Sequence, residues 1–291
     1  MLDHLLFHRF EHEVNRFRGI FPKTPHQYFA AGNHDIGRHP KCLFHNDSLP
    51  KVNPSLTRFE REFGSSMAWY KMADNHCLAI INVISFGATN CEYGRAEFWK
   101  QLNRISVELL TNCPLSSHTR TLLVHYPLPR PQITFKCTAG HIFTEGRVYH
   151  GENWHTSEMT RRILTLLQPS LVLSGDFHGS CYYEHVLDGG MYSNVTAGAA
   201  VVPEWIVTSI NPLMGTQFPG LGILSLREMT TEGNFLRHSQ THMNNGAVSF
   251  HHCLLCPVLW SAAGHGVAAA ASMLRLYLRY MRPFLSTLLP L

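Results

Sequence analysis

Charge is scarce in this chain: Asp, Glu, Lys and Arg make up only 15% of its 291 residues, and the formal net charge is +4. No run of Lys or Arg occurs, so the basic patch of a nucleic-acid-binding protein is missing. Zinc-finger spacing is missing too. The eight cysteines (Cys42, Cys77, Cys91, Cys113, Cys137, Cys181, Cys253 and Cys256) include one isolated CxxC and are too few to define a disulfide scaffold. The 21 Gly and 16 Pro follow no period, which excludes a collagen-like or low-complexity chain. There is no internal repeat, and acidic and basic residues interrupt every apolar run of MLDHLLFHRFEHEVNRF, so the opening stretch is not a signal peptide.

Apolar residues are plentiful: 45% are hydrophobic and 11% aromatic, enough to bury a core and to exclude disorder. Histidine is unusually abundant at 20 residues, which points to metal chemistry. Leu2, Leu5, Leu6, Phe10, Val14 and Phe17 form one face of an amphipathic helix. His4, His8 and His12 recur every fourth residue of it, read as a solvated face over a chelating one.

HQYFAAGNHD then reads as a short strand ending in a Gly-Asn turn, and AWYKM and CLAIINVISF as two further strands. The latter is a continuous apolar run suited to a sheet covered on both faces. AEFWKQLNRISVELL has helical periodicity, and RTLLVHYPL is a strand running into proline. Residues 130–155 read as a long loop over a site, in which Tyr149 and Trp154 are candidate sugar-stacking residues. SEMTRRILTLLQ is a helix with a Ser cap, stopped by Pro169. LVLSGDFHG is a strand, CYYEHVLDGGMYSNVTAG a hairpin turning at Asp188-Gly189-Gly190, and GLGILSLREM and NGAVSFHHCLL the closing strands. Alternating strands and helices followed by hairpins predict a mixed, layered α/β domain.

Residues 258–274 carry no charge, and Arg275, Arg279 and Arg282 follow at once. Length and flanking charge favour a transmembrane helix over an Ala-rich core helix, with the upstream chain lumenal. The sequons at Asn46 and Asn194 are compatible glycosylation candidates, whereas Pro54 excludes Asn53.

Ligand-type side chains cluster at three strand ends: Asn33, His34 and Asp35 in GNHD, His125 in VHYP, and Asp176 and His178 in GDFH. Loops at one edge of an α/β sheet converge while the strands stay rigid. Imidazole, carboxylate and amide oxygen together suit Mn, Fe or Zn. The bland alternative is a hydrogen-bonded polar cluster that stabilises loops.

These segments resemble three of the five motifs of the calcineurin-like metallophosphoesterases. AAGNHDIG, LLVHYPL, LQPSLVLSGDFHGSC and TSINPLMGTQFPGLGILSL resemble the membrane-bound branch that remodels GPI anchors, from about residue 17 onward. The resemblance implies a layered metallophosphoesterase sandwich of mixed β-sheets flanked by helices, with two divalent metal ions (manganese first, iron or zinc next). It implies Asn33, His125 and Asp176 as ligands of one metal and His178 as a ligand of the other. His34 would stabilise the leaving oxygen or transition-state charge, with Asp35 orienting its ring. Asp176 stands where the family usually has His, a replacement that relatives in the fungal branch share.

The family's first two motifs, Asp-x-His and Gly-Asp, should lie upstream of the first helix, and Asp3-His4, adjacent rather than spaced and following no strand, cannot stand in for them. With them go three ligands of the first metal and the first strands, so at most one well-ligated site is expected. The two readings are a truncated sequence of an active enzyme, which the intact downstream motifs favour, and a natural chain that has lost catalysis.

The expected organisation is a lumenal metallophosphoesterase domain over residues 1–256 lacking its first strands, a transmembrane helix over 257–274 and a cytosolic tail over 275–291. The expected function is an endoplasmic reticulum or Golgi phosphodiesterase that removes ethanolamine-phosphate from a mannose of GPI anchors. Its partners would be the GPI glycolipid or GPI-anchored protein and the membrane, with no nucleic acid. Two rivals are a non-catalytic membrane-anchored binding protein and a soluble metallophosphoesterase on another phosphodiester.

Overall fold

The computed structural model describes residues 2–36, 54–73, 75–86, 92–128, 136–138, 157–176, 179–187, 200–210, 220–226 and 248–254. Its central strands are β2 (His76–Ile81), β3 (Thr119–Val124), β5 (Leu171–Ser174) and β7 (Ala200–Ile206), neighbours that run parallel. At one side β1 (Ala68–Ala73) pairs antiparallel with β2. At the other, β6 (Ser180–Leu187) and then β4 (Lys136–Thr138) complete a seven-stranded mixed sheet. A second sheet is the antiparallel pair β8 (Gly220–Leu226) and β9 (Val248–Leu254).

Strand alternation divides the large sheet's faces. Cys77, Ala79, Ile81, Leu122, Val124 and Val172 belong to the main core. Over them lie α4 (Glu92–Asn112), through Phe98, Leu102, Ile105 and Leu109, and α5 (Ser157–Leu167), through Met159, Ile163, Leu164 and Leu167. Both sets recur at three- and four-residue spacing, the period that gathers side chains on one helix face. The Arg162 guanidinium of α5 stacks 3.9 Å above the Trp99 ring of α4. On the opposite face Leu78, Leu123 and Leu173 line an apolar cavity of about 510 Å³, shared with Phe17, Phe29 and Leu224. Phe17 comes from α1 (Leu2–Ile20), the amphipathic helix expected from the sequence.

Arg120 carries a buried charge in this core, at 1% exposure. Its guanidinium donates to the Cys113, Leu109 and Leu167 carbonyls at 2.8–3.3 Å. It thereby satisfies carbonyls at the C-terminal ends of both α4 and α5, where helices leave acceptors unpaired and carry partial negative charge.

A disulfide joins Cys77 on β2 to Cys113 just after α4, closing a sequence separation of 36 residues. Cys181 is also disulfide-bonded, and the register sets Cys137 opposite it. Loop-closure entropy of this size predicts that replacing Cys77 and Cys113 by Ser lowers stability by about 2–4 kcal/mol. Urea unfolding with and without reductant measures it, and an unchanged midpoint would contradict it.

Several expectations are corrected. Residues 27–32 form no strand, because no described strand pairs with that extended segment. The return strand of the β6 hairpin is β7 at 200–206, later than expected, and residues 188–199 lie outside the described set. Short β4 interrupts the stretch read as one long loop. Helix α3 (Pro54–Phe63) was not expected; Pro54 opens it in the position where proline is tolerated, and Leu56, Phe59 and Phe63 turn to the core. Among the described residues no helix is long and apolar enough to cross a membrane. The proposed span at 257–274 lies outside them.

Candidate metal centre

The parallel strands deliver their C-terminal ends to one sheet edge. The residues just beyond β2, β3, β5 and β7 are Asn82, His125, Gly175-Asp176 and Val207-Thr208. The loops are tied backbone to backbone there. Gly175 N–H donates to the His125 carbonyl at 2.9 Å, and Val207 N–H to that of Ser174 at 2.7 Å.

Asn33 enters from the one-turn helix α2 (Asn33–Ile36). The Gly32 carbonyl accepts from the Asp35 and Ile36 amides at 3.0 and 3.1 Å. In return Asp35 Oδ2 accepts the Gly32 amide at 2.8 Å, the third-position carboxylate of a helix-start box. A Cβ on Gly32 would stand 3.0 Å from Asp35 Oδ2 and 3.2 Å from His125 Cε1. A side chain there would make Asp35 or the imidazole give by a few tenths of an ångström, so glycine suits the close approach of His125 to this turn. That packing buries Asn33 and leaves His34 and Asp35 exposed.

His125 Nε2 lies 3.2 Å from Asn33 Oδ1 and 3.2 Å from Asp176 Oδ1. The Asp176 side chain is 5% exposed, and its backbone is left-handed at φ 64. Asp tolerates that conformation better than most residues, yet it is strained, and strain of this kind gathers at functional sites. An amide oxygen and a carboxylate oxygen thus both stand against one imidazole nitrogen. Donors bound at ~2.0–2.2 Å to one divalent cation stand roughly 3.0–3.4 Å apart, so the 3.2 Å spacings fit such an ion.

Of the residues singled out in the sequence, Asn33, His125 and Asp176 are brought together. His34 stands beside them on α2, and Asp35 takes the Gly32 amide as its partner. His178, Asn46, Asn194, Tyr149 and Trp154 lie outside the described residues. No group of three or more His, Cys, Asp and Glu gathers among the described residues, and the one candidate cluster there pairs His125 and Asp176 with the Asn33 amide. Sequence reasoning missed Glu204, which is fully buried behind this edge. Its signal is a lone carboxylate in the otherwise uncharged run AVVPEWIV.

No family model matches the sequence. Among curated proteins, Cell division control protein 1 of Saccharomyces cerevisiae is 30% identical over 224 residues, covering 74% of this chain and 40% of that protein. Metallophosphoesterase 1 of Xenopus laevis is 30% identical over 204 residues, covering 60% and 47% respectively. The Macaca fascicularis protein of that name is 27% identical over 192 residues, covering 60% and 45%. The chain spans less than half the length of these relatives. It belongs to the metallophosphoesterase family, in the branch that Cell division control protein 1 and Metallophosphoesterase 1 represent.

Proposed function

We propose that this chain carries part of the catalytic domain of a metal-dependent phosphodiesterase of the endomembrane system, which removes ethanolamine-phosphate from a mannose of GPI anchors. The observation that carries the phosphoester reading is the convergence of Asn33, His125 and Asp176 at the sheet edge. These three would hold one divalent cation, manganese first by the branch resemblance, and His178 would serve a second. A cation there supplies Lewis-acid polarisation of a phosphoryl oxygen and a water acidic enough to ionise near neutral pH. By the branch resemblance, His34, which is exposed, would meet the leaving oxygen, and Asp35, which accepts the Gly32 amide, would hold the turn that presents it. The GPI substrate rests on the branch resemblance, because a fold alone does not choose a substrate.

The lumenal placement is supported by chemistry on the chain. The Cys77–Cys113 bond and the disulfide at Cys181 suit an oxidising compartment. The sequons at Asn46 and Asn194 suit it as well, and residues 257–274 would anchor the chain.

The test is hydrolysis by the purified chain of bis(p-nitrophenyl) phosphate, then of a GPI glycan bearing ethanolamine-phosphate, with and without Mn²⁺. Mn²⁺-dependent release of phosphoethanolamine supports the reading. Mn²⁺ binding without turnover of either compound would favour the non-catalytic binding protein. Turnover of the simple diester alone would favour a different phosphodiester substrate.

A further inference from the structure

We propose that Glu204 is a positioning residue for the cation site, one carboxylate that locks the His125 and Asp176 loops in register with each other. The inference rests on reading Asn33, His125 and Asp176 as that site. Glu204 lies on β7 at 0% exposure. Its Oε1 accepts both the Ser174 hydroxyl at 2.5 Å and the Leu128 amide at 3.1 Å. Its Oε2 is 2.7 Å from His185 Nε2 on β6.

Those partners are specific in place. Ser174 is the last residue of β5, two before Asp176, and Leu128 is three after His125. A single oxygen therefore ties the chain on the near side of one ligand to the chain on the far side of the other. Val202, Glu204 and Ile206 share one face of β7, and both of Glu204's neighbours on that face are buried apolar residues. Removing this carboxylate alone takes a buried partner from the His185 ring, the Ser174 hydroxyl and the Leu128 amide, so it costs stability as well, and the positioning role is read from the site rather than from stability. What an apolar residue cannot do is hold Ser174 and Leu128 at a common point.

The test compares the full chain with Glu204→Gln, Glu204→Leu and Ser174→Ala. It reads Mn²⁺ affinity by calorimetry and, without metal, the His125 ring Cε1–H resonance by NMR. Gln can still accept from Ser174 and Leu128, so Glu204→Gln stays within about threefold of wild-type affinity. Glu204→Leu weakens Mn²⁺ binding roughly 10-fold or more and shifts the ring resonance, the size expected when a ligand's supporting shell is lost. Ser174→Ala moves both in the same direction by a smaller amount and keeps the test valid if Glu204→Leu does not fold. The Cys77→Ser/Cys113→Ser variant, altered at the far end of β2, loses stability with no change in either readout.

Wild-type affinity and an unmoved resonance in both Glu204→Leu and Ser174→Ala would overturn the proposal, whatever happens to stability. If the wild-type chain binds no Mn²⁺, the cation reading fails separately. The metal-free resonance then decides alone whether Glu204 positions His125.

Discussion

Replacing His125 by Ala abolishes divalent-cation binding by the full chain and lowers any metal-dependent turnover by more than about 100-fold. Losing only a supporting partner of a metal ligand costs about 10–100-fold, and in the proposed site His125 is the ligand itself. Its Nε2 is the atom common to both 3.2 Å contacts, so its loss leaves an amide and a carboxylate oxygen with no shared donor. The fold survives the change. His125 lies beyond the end of β3, its side chain is 23% exposed, and it belongs to no part of the apolar core. Unfolding free energy should shift by no more than about 1 kcal/mol, as for side chains outside the packed interior. Calorimetric Mn²⁺ titration alongside urea unfolding reads both quantities, and a variant that binds Mn²⁺ as the wild type does would remove His125 from the site.

Replacing Arg120 by Met has the opposite profile, with an expected loss of about 3–5 kcal/mol of stability. The guanidinium is almost fully buried, and its four contacts end at carbonyls of the closing turns of α4 and α5. Met fills most of the volume but donates nothing, so the Cys113 and Leu167 carbonyls lose their guanidinium donor together, while the Leu109 carbonyl keeps the Cys113 amide. Lys recovers part of the loss, since an ammonium group cannot reproduce the planar fork that spans the Leu109, Cys113 and Leu167 carbonyls. Urea midpoints at unchanged slope measure the difference. A loss below about 1 kcal/mol for Arg120→Met would mean that water or neighbouring amides can replace the guanidinium.

The juxtaposition of His125 and Asp176 was legible in the sequence because both stand just beyond apolar strands, β3 and β5, whose ends share one sheet edge, whereas Asn33 arrives there from the short helix α2. Asn33, His125 and Asp176 are 92 and 51 positions apart yet meet within 3.2 Å contacts. Helices α1, α4 and α5 were legible from periodicity, and β2 from its uninterrupted apolar run. The segment at 27–32 misled because Tyr28 and Phe29 in a short apolar run are strand-like, while strand formation also needs a partner, which local sequence does not encode. Strand β7 was hidden by Pro203 and Glu204, residues that usually argue against a central strand. The register resolves this: pairing with β5 begins only at Glu204, beyond the proline. Glu204 was illegible as a site residue because its meaning lies in Ser174 and Leu128, 30 and 76 positions away. Arg120 was equally silent, since only the packed helix ends reveal what a buried charge is for.

The cation site is tested most directly by anomalous diffraction from crystals of the full chain grown with Mn²⁺. The expected result is a peak bonded at ~2.0–2.3 Å to Asn33 Oδ1, His125 Nε2 and Asp176 Oδ1 together. Bound Mn²⁺ located elsewhere, with the His125 ring still hydrogen-bonded to Asn33 and Asp176, would contradict it and leave this edge as a polar cluster that only stabilises its loops.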